Sequence, residues 1–234
     1  MRSLAFCLAL IFSPASAGQA EGGSAVKDIP PVERASFHQL IFANDDISVL
    51  SNRYPPGGDS GFHAHFRDIF YVVIEAAPSR AQNLGKPLAP TPSVSPGAAG
   101  YGPIGAEPRV HRVVNGDEGE SHFIVVEIRR AKPAGHAVST RESAPQYVQI
   151  EDNARMRAWR LALEPGQSVP AISQGGDGIR IVVRGGLLTT SSSGAPDQTL
   201  ALKAGDFAVQ EKGATRAVRN SGTEPIELIE MELK

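Results

Sequence analysis

Two histidines separated by one residue give the clearest chemical signal in the sequence. His63 and His65 stand in the segment GFHAHF. Residues i and i+2 of a strand point to the same face, roughly 7 Å apart, so both imidazoles can face one ion. Such a pair also occurs by chance on protein surfaces. Neutral imidazole is a common metal ligand, and a third histidine from another strand would leave coordination positions open for a substrate.

An internal repeat runs through the chain. Segment 52–75 matches segment 159–186 at an offset of 109, and segment 100–128 matches segment 205–233 at an offset of 105. The matched positions are Pro56-Gly57 with Pro165-Gly166, Asp68 with Asp177, Val72-Val73 with Ile181-Val182, Gly100 with Gly205, Asn115 with Asn220, and Glu127 with Glu232. Two copies of one β-unit explain this match. Three of the six histidines, His63, His65 and His111, lie at landmarks of the first copy.

The repeated segments are predicted to be short strands. Phe70 to Ile74 and Phe123 to Val126 are β-branched or aromatic runs bounded by turn-forming residues. The alternation of Trp159, Leu161 and Leu163 favours a strand in the one stretch long enough for a helix. The chain also has 24 glycines and 18 prolines, which fit many short strands joined by turns. We therefore expect an all-β fold of sandwich or barrel type.

Segments rich in Pro and Gly divide the predicted domains. Pro78 to Pro108 is interpreted as a loop or flap, with a flexible linker as the alternative. Its counterpart, Gly186 to Lys212, is nearly as long, so much of both segments should belong to the barrels. The predicted organisation is an N-terminal segment at 18–30, an N-terminal barrel at 31–132, a linker at 133–144 and a C-terminal barrel at 145–234.

The motifs of the first copy resemble those of the cupin superfamily. Gly57-Gly58, His63-x-His65 and Asp68 are similar to the first cupin motif, and PRVHRVVN, with His111 and Asn115, is similar to the second. With its repeat, the chain resembles a bicupin, which implies two double-stranded β-helix (jelly-roll) barrels in tandem. The resemblance also implies that His63, His65 and His111 bind a divalent metal ion. Mn, Fe, Ni, Zn and Cu are not distinguished by it.

Two departures from the cupin pattern affect the expected chemistry. Cupins usually add a glutamate four or five residues after the second histidine, where this chain has Ile69 and Phe70. Asp68 comes earlier and is interpreted as a turn or structural residue, with a fourth ligand, a neighbour of the ligands or a base as the alternative. In the second copy, the histidine positions hold Ile172, Gln174 and Arg216. The second barrel is therefore predicted to be degenerate and free of metal.

Two further residues are candidate substrate contacts. Arg67 could face the barrel mouth and hold an anionic substrate, with a solvated arginine as the alternative. His122, on the last strand of the first barrel, is a cavity-lining candidate that the sequence does not separate from an edge or surface residue. His38 and His136 are interpreted as solvated residues of an early strand and of the connector.

Composition and motif content exclude several classes of function. The 23 basic and 25 acidic residues give a net charge of −2, which argues against a nucleic-acid binder driven by positive charge. The segment GYGPIG matches a dinucleotide-binding pattern, but it is preceded by a Pro-rich stretch and followed by a strand instead of a helix. The expected partner is a small molecule, and a homo-oligomer is left open.

The N-terminus resembles a secretory signal peptide. Arg2 precedes the apolar run Leu4 to Phe12, and the small residues Ala15-Ser16-Ala17 follow. The run is too short to span a bilayer, which needs about 20 residues. We expect cleavage after Ala17, a mature chain with no membrane span, and a periplasmic or secreted location. Cleavage would also remove Cys7, the only cysteine.

These features lead to three hypotheses of function. The first is an exported metal-dependent enzyme that acts on a small organic molecule, with dioxygenase-like or decarboxylase-like chemistry. The second is a non-catalytic module that binds or senses a small molecule, since the usual glutamate is missing. The third is a structural protein whose metal site is a relic.

Overall fold

The protein folds into two similar groups of nine strands. The computed structural model describes residues 29–139 and 141–234. The first group is β1 (His38–Ala43), β2 (Ile47–Tyr54), β3 (His63–His65), β4 (Ile69–Glu75), β5 (Ser79–Asn83), β6 (Ala89–Pro90), β7 (Ala99–Gly102), β8 (Arg109–Asn115) and β9 (Ser121–Ile128). The second is β10 (Tyr147–Asp152), β11 (Met156–Leu163), β12 (Ser168–Ser173), β13 (Gly178–Arg184), β14 (Gly186–Ser191), β15 (Gln198–Leu202), β16 (Phe207–Gln210), β17 (Thr215–Asn220) and β18 (Ile226–Leu233).

Each group forms a five-stranded and a four-stranded antiparallel sheet. The first group has the strand orders β1-β2-β9-β4-β7 and β3-β8-β5-β6. The second group has the equivalent orders β10-β11-β18-β13-β16 and β12-β17-β14-β15. This arrangement confirms the predicted all-β fold of two jelly-roll barrels in tandem. No helix among the described residues is long and apolar enough to cross a membrane. The predicted signal peptide lies outside the described residues.

The strand pairing of the two barrels repeats almost residue by residue. His63 pairs with His111 in the first barrel, and Ile172 pairs with Arg216 in the second, as the alignment of the two copies predicts. Bulges interrupt β1 and β10 at equivalent places. The segment Pro78 to Pro108 contributes three short strands, so it is largely part of the barrel instead of a free linker.

One predicted equivalence in the repeat is wrong. Gly205 corresponds to Gly97 and not to Gly100. The N–H of Gly97 donates to the carbonyl of Val73 over 2.8 Å, and the N–H of Gly205 donates to the equivalent carbonyl of Val182 over 2.8 Å. Both glycines have positive φ, 84° and 87°. The offset between equivalent residues of the two copies changes after these glycines, because the first barrel has a longer loop between its seventh and eighth strands.

The main hydrophobic core lies between the two barrels. Alternate residues of the two five-stranded sheets face each other across this core, which includes Phe70, Val126, Ile181 and Met231. A second cluster around Trp159 fills the interior of the C-terminal barrel. Within the described ranges, the interior of the N-terminal barrel has only a small buried cluster. It therefore retains space, and a cavity of about 450 Å³ lies there.

Candidate metal centre

Two strands of the four-stranded sheet position the histidines. His63 and His65 occupy both ends of the three-residue strand β3, so they face the same side of the sheet. β8 runs antiparallel to β3, and its register places His111 opposite His63 and Arg109 opposite His65. The sheet thereby brings together residues that are almost fifty positions apart in the chain. It also adds Arg109 to the group.

The three histidine rings form a compact cluster. One nitrogen from each of His63, His65 and His111 lies within 4.8 Å of the other two. The Nε2 atoms of His65 and His111 are 3.1 Å apart. His63 and His65 are almost fully buried. The structure thus brings together the three histidines that the sequence predicts as ligands.

Hydrogen bonding leaves nitrogen lone pairs available in this cluster. The Nδ1–H of His63 donates to the carbonyl of Gly61 over 3.1 Å, so its Nε2 carries the lone pair. That Nε2 is buried and has no hydrogen-bond partner among the residues that the structure describes. An unpaired buried acceptor is costly, and a metal ion would satisfy it. Three converging imidazole nitrogens suit Zn, Cu, Ni and Fe, so the residues present fit a divalent transition metal.

Electrostatics keep these imidazoles neutral. Burial lowers the pKa of His65 to about 3, with smaller contributions from the neighbouring histidines and Arg109. Burial also lowers the pKa of His63 and takes the pKa of His111 well below its usual range. Neutral imidazole is the form that binds metal. The three side chains are therefore uncharged at neutral pH, and binding an ion does not first require an imidazolium to release its proton.

The cluster opens into the cavity of the N-terminal barrel. His65 and His111 line the cavity together with Ile69, Tyr71 and Arg109. The Nε–H of Arg109 donates to the side-chain oxygen of Asn83 over 3.0 Å. The sequence analysis missed Arg109. Its position two residues before His111 on the same strand would have been the signal, because such residues share a face.

His38 is buried instead of solvated, which corrects the sequence interpretation. Its ring centroid is 4.5 Å from that of His63. Its Nδ1 lies 2.8 Å from the carbonyl of Ser36, and its Nε2 lies 3.0 Å from the hydroxyl of Tyr54. Burial lowers the pKa of His38 to about 4. His38 therefore supports one side of the histidine cluster as a neutral residue.

Asp68 does not lie with the histidines. Its Oδ2 accepts from the hydroxyl of Tyr101 over 2.7 Å, and its Oδ1 accepts from the N–H of Gly105 over 2.8 Å. Arg155 of the C-terminal barrel approaches the same carboxylate at 3.4 Å. Both oxygens thus hold the loop after β7. The structure gives Asp68 the role of a structural residue and not that of a fourth ligand.

The two candidate substrate contacts also lie elsewhere. Arg67 approaches Glu33 and Glu127 at 3.4 Å each and is not among the cavity-lining residues. His122 is buried, and its Nε2 lies 3.0 Å from the hydroxyl of Ser51. Gly205 packs against the His122 ring so closely that a Cβ there would lie 2.6 Å from Cε1. His122 therefore belongs to the contact between the barrels, because β9 alternates between the cavity and that contact.

The equivalent site in the second barrel has different chemistry. Ile172 and Arg216 occupy the paired positions of His63 and His111. Gln174, at the position of His65, contacts the side chain of Gln210. An alkyl group and a guanidinium offer no lone pair to a metal. Of the two barrels, the N-terminal one holds the imidazole set.

Solved structures with cupin barrels share this fold. A cupin 2 conserved barrel domain protein from Leptotrichia buccalis has 12% identity, covers 84% of this chain and 88% of its own, and gives a TM-score of 0.52. AerE from Microcystis aeruginosa has 11% identity, coverages of 86% and 98%, and a TM-score of 0.59. Lactobacillus farciminis oxalate decarboxylase, in its formate complex, has 13% identity, coverages of 81% and 77%, and a TM-score of 0.58.

The chain therefore has the fold of the cupin superfamily, in its form with two barrels. No protein-family model matches the sequence, and no curated protein matches it. The likeness lies in the three-dimensional fold, and it is found at 11–13% sequence identity.

Proposed function

We propose that the protein is a metal-dependent cupin enzyme that acts on a small organic molecule in its N-terminal barrel. Its chemistry is oxidation or decarboxylation. The observation that carries this proposal is the meeting of His63, His65 and His111 at the wall of a cavity. A cavity of about 450 Å³ lies in the range of small-molecule sites.

The residues of the chain have separate tasks in this proposal. His63, His65 and His111 would hold the ion as neutral ligands. A divalent ion bound there would supply Lewis-acid or redox chemistry, depending on which ion binds. Tyr71 and Arg109 line the space that a substrate would occupy. The mainly apolar walls would strengthen electrostatic contacts within that space.

A second candidate function is binding or sensing without catalysis. Among the described residues, those that line the cavity include no aspartate and no glutamate. Proton transfer usually needs a carboxylate or another base within reach of the substrate. Turnover assays on molecules that raise the melting temperature of the metal-loaded protein separate the two functions. Binding without product formation would favour the second.

Metal content tests the site directly. We expect about one metal ion per chain in mature protein purified without an affinity tag. His63→Ala/His65→Ala should lose that ion, because two of three ligands are removed. Inductively coupled plasma mass spectrometry on both proteins measures the change.

His136→Ala is the matched control for that experiment. His136 lies in the connector before β10, outside the cluster. Its removal should leave the metal content unchanged. Equal metal content in wild type and in the double variant would rule out the proposed site.

We also propose that the protein acts outside the cytoplasm. The support is the N-terminal segment, with its positive start, apolar run and Ala15-Ser16-Ala17. Mass spectrometry of the secreted or periplasmic fraction should find a chain that begins at Gly18. A full-length chain confined to the cytoplasm would contradict this location.

A further inference from the structure

The cavity of the N-terminal barrel has mainly apolar walls. Side chains from both sheets and from the segment after β6 line it, among them Ile69, Tyr71, Pro92, Val113 and Phe123. Neutral polar side chains interrupt this surface, but its larger part is apolar. A ligand that fills it must carry an apolar body, because only such a body repays the loss of contact with water.

One charged side chain lines the cavity among the described residues, and it is Arg109. Most cavity-facing polar groups here are neutral. In the described part of the chain, no carboxylate lies within ion-pair distance of Arg109, although Arg67 and Arg112 are each paired with one. Asn83 holds the Nε of Arg109 and leaves the two terminal nitrogens of the guanidinium for another partner.

A bound metal would increase this positive charge. The three histidines are neutral ligands, and Ile69 lines the cavity where the cupin resemblance places a glutamate. A divalent ion held there would have no acidic side chain among the described residues of the cavity wall to balance its charge. A ligand that brings its own negative charge would supply the balance.

We infer that the cavity takes a monocarboxylic acid with an apolar body, with the carboxylate bound by Arg109. This inference deepens the proposed function, since it names the substrate class for the same site. A guanidinium binds a carboxylate through two parallel hydrogen bonds. Arg109 is thus the specificity-determining residue of the cavity.

Binding of three probes to the metal-loaded protein tests the inference. The probes are 2-naphthoate, the neutral amide 2-naphthamide of similar shape, and oxalate, which has charge without an apolar body. Calorimetry should show that 2-naphthoate binds at least about tenfold more tightly than 2-naphthamide, the difference that one charge-assisted contact gives. Oxalate should bind more weakly than 2-naphthoate. Equal affinity for the naphthoate and the amide, or tighter binding of oxalate, would overturn the inference.

Variants identify the arginine responsible. Arg109→Gln should remove the preference for 2-naphthoate over 2-naphthamide and keep the metal content of the wild type. Arg112→Gln is the control, since Arg112 is on the same strand and pairs with Asp59 at 3.0 Å. It should keep the preference. An unchanged preference in Arg109→Gln would overturn the inference.

The probe experiment is also run on protein treated with a chelator. Arg109 remains there, so some preference for 2-naphthoate should persist. If the protein as purified, before any chelator, holds no metal and still shows this Arg109-dependent preference, the proposed metal function fails and the inference stands. If the protein holds metal but shows no preference for 2-naphthoate, the inference fails and the proposed metal function stands. The wild-type comparison needs no variant, so the inference stays testable even if Arg109→Gln does not fold.

Discussion

Asn115 shows how one buried polar residue can hold a barrel together. Its Nδ2 lies 3.0 Å from the carbonyl of Tyr54 and 2.8 Å from that of Gly119, and its Oδ1 accepts from the hydroxyl of Ser121. Its repeat counterpart, Asn220, binds two carbonyls in the same way. The repeat thus preserves the side chain that satisfies otherwise unpaired backbone groups at the end of this strand.

Replacing Asn115 should therefore destabilise the protein strongly. Asn115→Ala leaves buried carbonyls and a hydroxyl without partners, and we expect a loss of about 3 kcal/mol in the free energy of unfolding. Urea unfolding measures it. Asn44→Ala, at an exposed turn, serves as the control and should cost about 1 kcal/mol or less. Equal losses in the two variants would contradict the role given to Asn115.

At the scale of elements, the connector between the barrels closes the second one. Arg141 is fully enclosed there. Its guanidinium contacts the carboxylates of Glu230 and Glu232 and lies 3.9 Å above the ring of Trp159. Although burial would raise the pKa of Glu230, Arg180 and Arg141 hold it below its usual value. The C-terminal barrel is thus filled by a charged network where the N-terminal barrel has its cavity.

Removal of that connector arginine should destabilise the C-terminal barrel. Arg141→Met leaves Glu230 and Glu232 buried with less positive charge, and we expect a loss of about 3–5 kcal/mol in the free energy of unfolding. Thermal and urea unfolding measure it. Arg219→Met, at an exposed position of β17, is the matched control and should change stability by less than about 0.5 kcal/mol. If Arg141→Met also lowered the free energy of unfolding by less than about 0.5 kcal/mol, the charged network would not be needed for stability.

At the scale of the whole molecule, the two barrels pack through equivalent surfaces. Gly97 of the first barrel meets Glu227 of the second, and Gly205 of the second meets His122 of the first. These four residues are repeat equivalents in two pairs. The guanidinium Nη2–H of Arg160 donates to the carbonyl of Gly97 over 2.7 Å. The contact therefore resembles a symmetric dimer interface contained in one chain.

The shared core makes the barrels depend on each other. A charge in it should be destabilising, so Val126→Asp is expected to cost at least about 3 kcal/mol, because the aspartate is buried without a partner. Val148→Asp, at an exposed position, is the control. Calorimetry of the wild type should show one transition for both barrels. Two separate transitions, or equal stability of the two variants, would contradict this dependence.

The sequence by itself determined the strands, the repeat and the histidine set. Alternating side chains and Gly-Pro turns are local signals, and the His-x-His spacing defines a common face without knowledge of the fold. The exchange of His63 for Ile172 was also visible in the sequence, because the two copies could be aligned directly. The alignment of the two copies matched Gly205 with the wrong glycine, Gly100 instead of Gly97, because the loop that follows has a different length in the two barrels.

Tertiary structure alone decided which polar residues face the cavity. Arg67, Asp68 and His122 were candidates by residue type, with solvated, structural or edge positions as their alternatives, and partners from distant segments engage all three. Arg109 lies in the cavity instead, since strand register sets its face and no distant carboxylate among the described residues pairs with it. Packing also decided that one barrel stays open while the other is filled. Local sequence cannot specify such pairings, because they depend on which segments meet across the fold.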